Sequence, residues 1–195
     1  MEKLSISIVI PCYNEFLNLE TLIQDCEDII EKNKNYNFEF IFVDNGSTDE
    51  SKLFFKNLNK NNIRVVTLKE NIGYGNGIIQ GLLKASHKIL AWTHADLQTD
   101  LSDVVRGLGL LNQKVVLIKG KRVSRKFFPK ILSLGMSAYA YFKLGIWVSE
   151  INAQPKIFNK QFFLKIAGEA PNDFSLDFFF CLKAKKTGKI LEFPV

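Results

Sequence analysis

Three short polar runs in this chain carry side chains able to do chemistry: Pro11-Cys12-Tyr13-Asn14-Glu15, Asp44-Asn45-Gly46-Ser47-Thr48-Asp49 and His94-Ala95-Asp96-Leu97-Gln98-Thr99-Asp100. Carboxylates set side by side are costly unless a cation or a hydrogen-bonding ligand compensates them. Asp96 and Gln98 are one residue apart in a segment expected to be extended, so both side chains should point the same way. They would offer two oxygen ligands to a hard cation, Mg²⁺ or Mn²⁺, which keeps some of its water and takes phosphate oxygens besides. A single run such as DNGSTD reads as a turn and helix cap. Three such runs, each after its own strand, read as a site.

The elements that must hold these runs alternate. Residues 5–11 (SISIVIP), 38–43 (FEFIFV), 63–68 (IRVVTL), 88–93 (KILAWT) and 115–118 (VVLI) have the short, β-branched pattern of buried strands. Between them, residues 16–34 repeat apolar side chains at helical spacing. Ser47 and Glu50 have capping-box spacing for a helix through about Leu58. Residues 75–86 read as a helix, and Asp100 as the cap of another. Strand and helix in alternation predict βαβ units, hence an α/β fold with a doubly wound, mostly parallel sheet in three α/β/α layers. In such sheets ligands bind beyond the carboxyl ends of the strands, where the three polar runs fall. After Gly120 the alternation gives way to a basic stretch and a long amphipathic segment, 126–148. A strand at 154–158, helices at 160–167 and 173–186, and a last strand at 189–195 (KILEFPV) complete the expectation.

Composition narrows the class. With 195 residues, 47% hydrophobic and 24% charged, the chain reads as one globular domain, neither disordered nor fibrous. Cys12, Cys26 and Cys181 have neither zinc nor disulfide spacing, which suggests a reducing compartment. The first residues enter a strand pattern without the layout of a secretory signal, so a cytoplasmic location is expected. Residues 1–110 hold 11 basic and 15 acidic side chains, net −4; residues 111–195 hold 15 and 5, net +10; together they give the +6 of the whole chain. A basic second half suits an anionic partner, and equally a solvated lysine face. It has no nucleic-acid recognition motif. Gly73, Gly75 and Gly77 form GxGxG, but Ile78 stands where a dinucleotide fingerprint needs glycine, which disfavours a nicotinamide enzyme.

The succession VIPCYNE, VDNGSTDES, NIGYGNG, HADLQTD and GKRVSR resembles glycosyltransferase family 2, within it most nearly the polyprenyl-phosphate and dolichyl-phosphate sugar transferases. The resemblance implies the GT-A fold and transfer, with inversion, from a nucleotide-sugar (UDP- or GDP-) donor to a lipid-phosphate or saccharide acceptor, in cell-envelope polysaccharide or lipid-linked sugar synthesis. It implies that Pro11, Tyr13 and Glu15 line the nucleoside pocket, with Tyr13 against the base, and that Asp44 hydrogen-bonds the nucleoside. It makes Asp96 and Gln98 the metal pair, and gives Arg122 and Arg125, two of only four arginines, to the phosphates, which guanidinium groups suit. Asp177, in FSLDFFF, matches the acidic position that acts as general base in many relatives; a phosphate acceptor, already an oxyanion, would need no base. Residues 1–120 would form the nucleotide-sugar half of the single domain and 121–195 the acceptor half.

Two departures stand out. His94 replaces the usual first aspartate of the fourth motif and would lie beside the nucleotide-sugar, and a basic C-terminal lid expected from the family is not seen. Residues 126–148 suit a helix lying in a membrane interface, placing the protein peripherally on the cytoplasmic face, and suit equally a core or dimer helix. Oligomeric state is left open. A non-catalytic GT-A domain that binds only nucleotide or a partner is the alternative.

Overall fold

The computed structural model describes residues 3–111, 115–123 and 149–195. Arg125 and the amphipathic residues 126–148 lie outside them. The first half alternates as expected: β1 (Leu4–Cys12), α1 (Phe16–Lys32), β2 (Tyr36–Asp44), α2 (Ser51–Asn57), β3 (Ile63–Thr67), α3 (Tyr74–Lys84), β4 (Ile89–Trp92), α4 (Ser102–Leu108) and β5 (Val115–Lys121). Then follow β6 (Lys156–Asn159), α5 (Lys160–Ile166), α6 (Leu176–Thr187) and β7 (Lys189–Pro194).

The strands form one sheet in the order β3-β2-β1-β4-β6-β5-β7. Neighbours run parallel except β6, which is antiparallel to both β4 and β5. Reversing that one strand lets β5 and β7 run with the rest, so the carboxyl ends of β1 to β5 share one edge. Alternation along each strand feeds two cores. Ile6, Ile8 and Ile10 face α1, α2 and α4, where Leu19, Leu22 and Cys26 meet them. Val9, Ile41, Val43, Trp92 and Phe158 face α3, α5 and α6. Burying both faces of the sheet gives the three layers expected.

One local expectation fails. Ser47 does not cap α2; its hydroxyl accepts the Asn14 amide at 3.2 Å instead, and the Asp49 carboxylate receives the Ser51 amide at 3.0 Å. Asp100 stands one residue before the N-cap of α4, Leu101, which has no side-chain cap; the Asp100 carboxylate takes the Ser102 amide at 2.8 Å. Among the described residues, no helix is long and apolar enough to cross a membrane.

Candidate active site

A cavity of about 410 Å³ opens at the carboxyl edge. Pro11 lines it from the end of β1, Tyr13 and Glu15 from the loop that follows, Asn45 from the loop after β2, Asn71 and Gly73 from the loop before α3, Tyr74 from the first residue of α3, and His94, Ala95 and Asp96 from the loop after β4. Phe174 closes one side. Asn14 holds the first two loops together. It has a left-handed backbone (φ 57°), and its side-chain oxygen accepts the amides of Thr48 and Asp49 at 2.8 and 3.3 Å. Asparagine tolerates that conformation better than most residues, and its neighbour Tyr13 is thereby left at the cavity wall.

Glycine builds the opposite wall. A Cβ on Gly73 would lie 2.3 Å from the Asn172 carbonyl oxygen, and one on Gly75 2.4 Å from that of Pro171. Without those carbons the loop before α6 presses onto the start of α3, and the Asn76 amide bonds the Asn172 carbonyl at 2.9 Å. The contact sets Phe174 parallel to Tyr74, ring centres 4.8 Å apart. Phe174 nevertheless stays 75% exposed.

Behind this wall runs a polar chain. Tyr74 Oη lies 2.9 Å from His94 Nε2, and Gln154 Nε2 reaches Tyr74 Oη at 3.5 Å and Asp177 Oδ1 at 2.9 Å. Burial, then Asp177, pushes the Tyr74 phenol well up, so it keeps its proton. Burial pushes the His94 imidazole down, helped by Lys156 and Arg122 and opposed by Asp177 and Asp96. Tyr74 Oη and His94 Nε2 share one hydrogen bond, and the other ring nitrogen, Nδ1, faces Asp96 Oδ2 at 3.8 Å.

Deeper still lie two fully buried lysines, cross-strand partners on β5 and β6. Lys156 pairs with Asp177, bonds the Ala153 carbonyl at 3.2 Å and lies over the Trp92 ring. Lys119 pairs with Glu192 at 3.0 Å and bonds the carbonyls of Ser149 and Glu150 at 2.7 and 3.1 Å. Burial lowers the Lys119 pKa, against the pull of Cys181 and Glu192. The two ammonium groups thereby fasten residues 149–154 to the sheet, and the Asn152 carbonyl in that stretch receives Arg122 at 3.1 Å.

The structure thus brings Pro11, Tyr13, Glu15, His94 and Asp96 to one cavity. Asp44 lies beneath it, 1% exposed, its carboxylate accepting the Ser47 amide at 2.9 Å, and Asn45 takes the place at the wall expected of Asp44. Gln98 does not share an extended segment with Asp96. Leu97 is left-handed (φ 57°), Asp96 accepts the Gln98 amide at 3.1 Å, and the Gln98 side chain is exposed away from the cavity lining. Asp177 is buried against Lys156 and does not reach the cavity wall. Arg122 stands at the end of β5, near enough for its charge to act on His94.

Sequence reasoning missed Asn45, Tyr74, Phe174, Gln154 and the two lysines. Asn45 had a signal in its place in the second polar run, and its buried Oδ1 has no partner among the described residues. Also among the described residues, no three His, Cys, Asp or Glu side chains form a metal cluster. Asp96 remains: a carboxylate one-third exposed at the wall beside a histidine that burial keeps from charging, which fits a cation shared with phosphate oxygens and water.

Residues 7–167 match the family described as Glycosyl transferase family 2. The chain is 28% identical to human dolichyl-phosphate beta-glucosyltransferase over 178 residues, 80% of this chain and 55% of that protein. The Dictyostelium discoideum protein of the same name is 31% identical over 114 residues, covering 54% and 35%. Undecaprenyl-phosphate 4-deoxy-4-formamido-L-arabinose transferase of Proteus mirabilis is 27% identical over 147 residues, covering 70% and 44%. The chain therefore spans between 35% and 55% of the length of these relatives. Glucosyl-3-phosphoglycerate synthase of Mycobacterium tuberculosis, solved with Mn²⁺, UDP and glucosyl-3-phosphoglycerate, shares the fold: TM-score 0.74 over 97% of this chain and 69% of that one, at 17% identity.

Proposed function

Because this chain belongs to glycosyl transferase family 2 and folds as a GT-A domain, we propose that it transfers a sugar from a nucleotide-diphosphate donor to a lipid-borne phosphate. The observation that carries the reading is the cavity onto which three neighbouring strand ends, those of β2, β1 and β4, deliver Tyr13, Glu15, Asn45 and Asp96. Pro11 and the Tyr13 ring supply apolar surface for a base, and Glu15 and Asn45 supply polar groups for the nucleoside. Asp96 would hold the divalent cation, Mg²⁺ or Mn²⁺, whose chemistry when bound is to neutralise the departing diphosphate. The structural neighbour solved with Mn²⁺ and UDP supports that cation and that class of donor. Arg122, and Arg125 by its match to the family pattern, add guanidinium charge for phosphates.

Displacement at the anomeric carbon from the side opposite the diphosphate inverts it. A sugar hydroxyl attacking there needs a base to take its proton, and Asp177 is badly placed for that, fixed by Lys156 and Gln154 behind the wall. A phosphate oxygen carries its own negative charge and needs none. The relatives named for dolichyl-phosphate and undecaprenyl-phosphate support the same acceptor class. Asp177 then acts by position, holding Gln154 against Tyr74. Residues 1–120 supply the donor site and residues 121–195 the acceptor side, at a cytoplasmic membrane face.

Calorimetric titration with UDP and GDP, each with Mn²⁺ and with EDTA, tests the reading. One nucleotide should bind only with metal, and Asp96→Ala should weaken it at least tenfold, about 1.4 kcal/mol. Failure of both nucleotides to bind folded protein would favour the non-catalytic reading, which His94 in the metal loop supports.

A further inference from the structure

The cation site at Asp96 lacks the partner that the spacing promised it, because Gln98 lies away from the cavity lining. Another donor stands in reach. Asp96 Oδ1 is engaged by the Gln98 amide at 3.1 Å, and Oδ2 faces His94 Nδ1 at 3.8 Å. On the histidine the division is the same: Nε2 is engaged by Tyr74 Oη at 2.9 Å, and Nδ1 is presented. A separation of 3.8 Å is too long for a hydrogen bond between the two. It suits a shared ion, since metal bonds of about 2.1 Å set two ligand atoms about 3.0 Å apart at right angles and about 4.2 Å apart across the ion. Both side chains stand on the cavity wall, 25% and 34% exposed, with room for water and phosphate oxygens.

Resting on the cation reading above, we propose that His94 Nδ1 is the second protein ligand of that ion, beside Asp96 Oδ2. Coordination through Nδ1 puts the imidazole proton on Nε2, where the Tyr74 oxygen receives it. Tyr74 then turns its own proton toward Asp177, whose charge acts on the phenol. The ring is held as a ligand must be. Tyr74 meets it edge-on, ring centres 5.7 Å apart at 86°, and Phe174 stacks on Tyr74 in turn. Gln154 bonds both Tyr74 and Asp177, and Lys156 pairs with Asp177, so the buried network becomes the support behind a ligand. His94 thereby exchanges an oxygen ligand for a nitrogen one. An imidazole and a carboxylate together suit Mn²⁺ or Co²⁺ better than Mg²⁺, which favours oxygen. They also carry one negative charge fewer than two carboxylates, so the ion keeps more of its charge for the diphosphate.

Pulsed electron paramagnetic resonance of Mn²⁺ bound to the untagged full chain with UDP or GDP tests this without turnover. The ion should show nitrogen coupling from a bound imidazole, and the coupling should change from the ¹⁴N to the ¹⁵N pattern in protein made with ¹⁵N-histidine. The label reports on His94, because the only other histidine in the sequence, His87, precedes β4 at the opposite edge of the sheet. His94→Asp should still bind Mn²⁺ with the nucleotide but without the coupling, and Mg²⁺ should displace Mn²⁺ from it at least about tenfold more readily than from the parent. Tyr74→Phe should keep the coupling and weaken Mn²⁺ binding about 10–100-fold, as loss of a group behind a ligand does. Mn²⁺ that binds with nucleotide yet shows no histidine coupling overturns the inference and leaves the cation at Asp96 standing. Mn²⁺ that binds with neither nucleotide overturns both.

Discussion

Lys156 shows at the scale of one residue what its surroundings must supply. Desolvating an ammonium group costs several kcal/mol, and here the Asp177 carboxylate, the Ala153 carbonyl and the Trp92 ring offset that cost. Lys156→Met should therefore destabilise the fold by about 3–5 kcal/mol in urea unfolding, because it strands Asp177 without its partner. The double variant Lys156→Met, Asp177→Asn should recover most of that loss. The same protein tests the chemistry: if Asp177 only positions Gln154 and Tyr74, its turnover on a phosphate acceptor falls less than about tenfold, whereas loss of a general base costs about 10²–10⁴-fold.

At the scale of elements, the seat of the loop before α6 on the start of α3 depends on two missing side chains. Gly75→Ala should force the Pro171 carbonyl away and separate Phe174 from Tyr74. Thermal unfolding should report a loss of about 1–3 kcal/mol, in the range of overpacked sites, and UDP titration a weaker donor site. The glycines were legible in the sequence, but what they make room for was not, since Asn172 is brought to them only by tertiary folding. The alternation of strands and helices was legible because the central strands are buried on both faces and the helices on one. So were the polar runs at the strand ends, and with them Tyr13, Glu15 and Asp96. Gln98 was misplaced because a left-handed Leu97 replaces the extended backbone that the spacing assumed. The capping box failed because Asn14, from another loop, competes for Ser47. The pairing of Lys156 with Asp177 gave no local signal, because it joins β6 to α6 across 21 residues.

Across the whole molecule, acidic groups bind the layers in a way that makes stability depend on pH. Burial works to raise Glu39, but bonds from Ser7 at 2.5 Å and from Ser86 at 2.8 and 2.9 Å, with Arg64 nearby, hold it below its ordinary value. Glu192 is likewise held low against its burial, by Ser149 and Lys119. A carboxylate depressed by folding contributes stability above its unfolded pKa and loses it as pH falls through the folded one. Burial raises Asp103 and Asp25, which act with the opposite sign. The melting temperature should therefore drop as pH is lowered from 7 through the carboxylate range. Glu39→Gln should cost about 1–2 kcal/mol at pH 7 and progressively less in acid, as a pH series of melting curves would show. The glycine contact has one more consequence, for chimeras. Because the start of α3 and the loop before α6 meet backbone to backbone, the junction of the two halves of the chain is not confined to a cut at residue 120. It is a seam between distant stretches, and a hybrid that swaps the later half for a relative's must import both sides of that seam to keep the cavity it starts with.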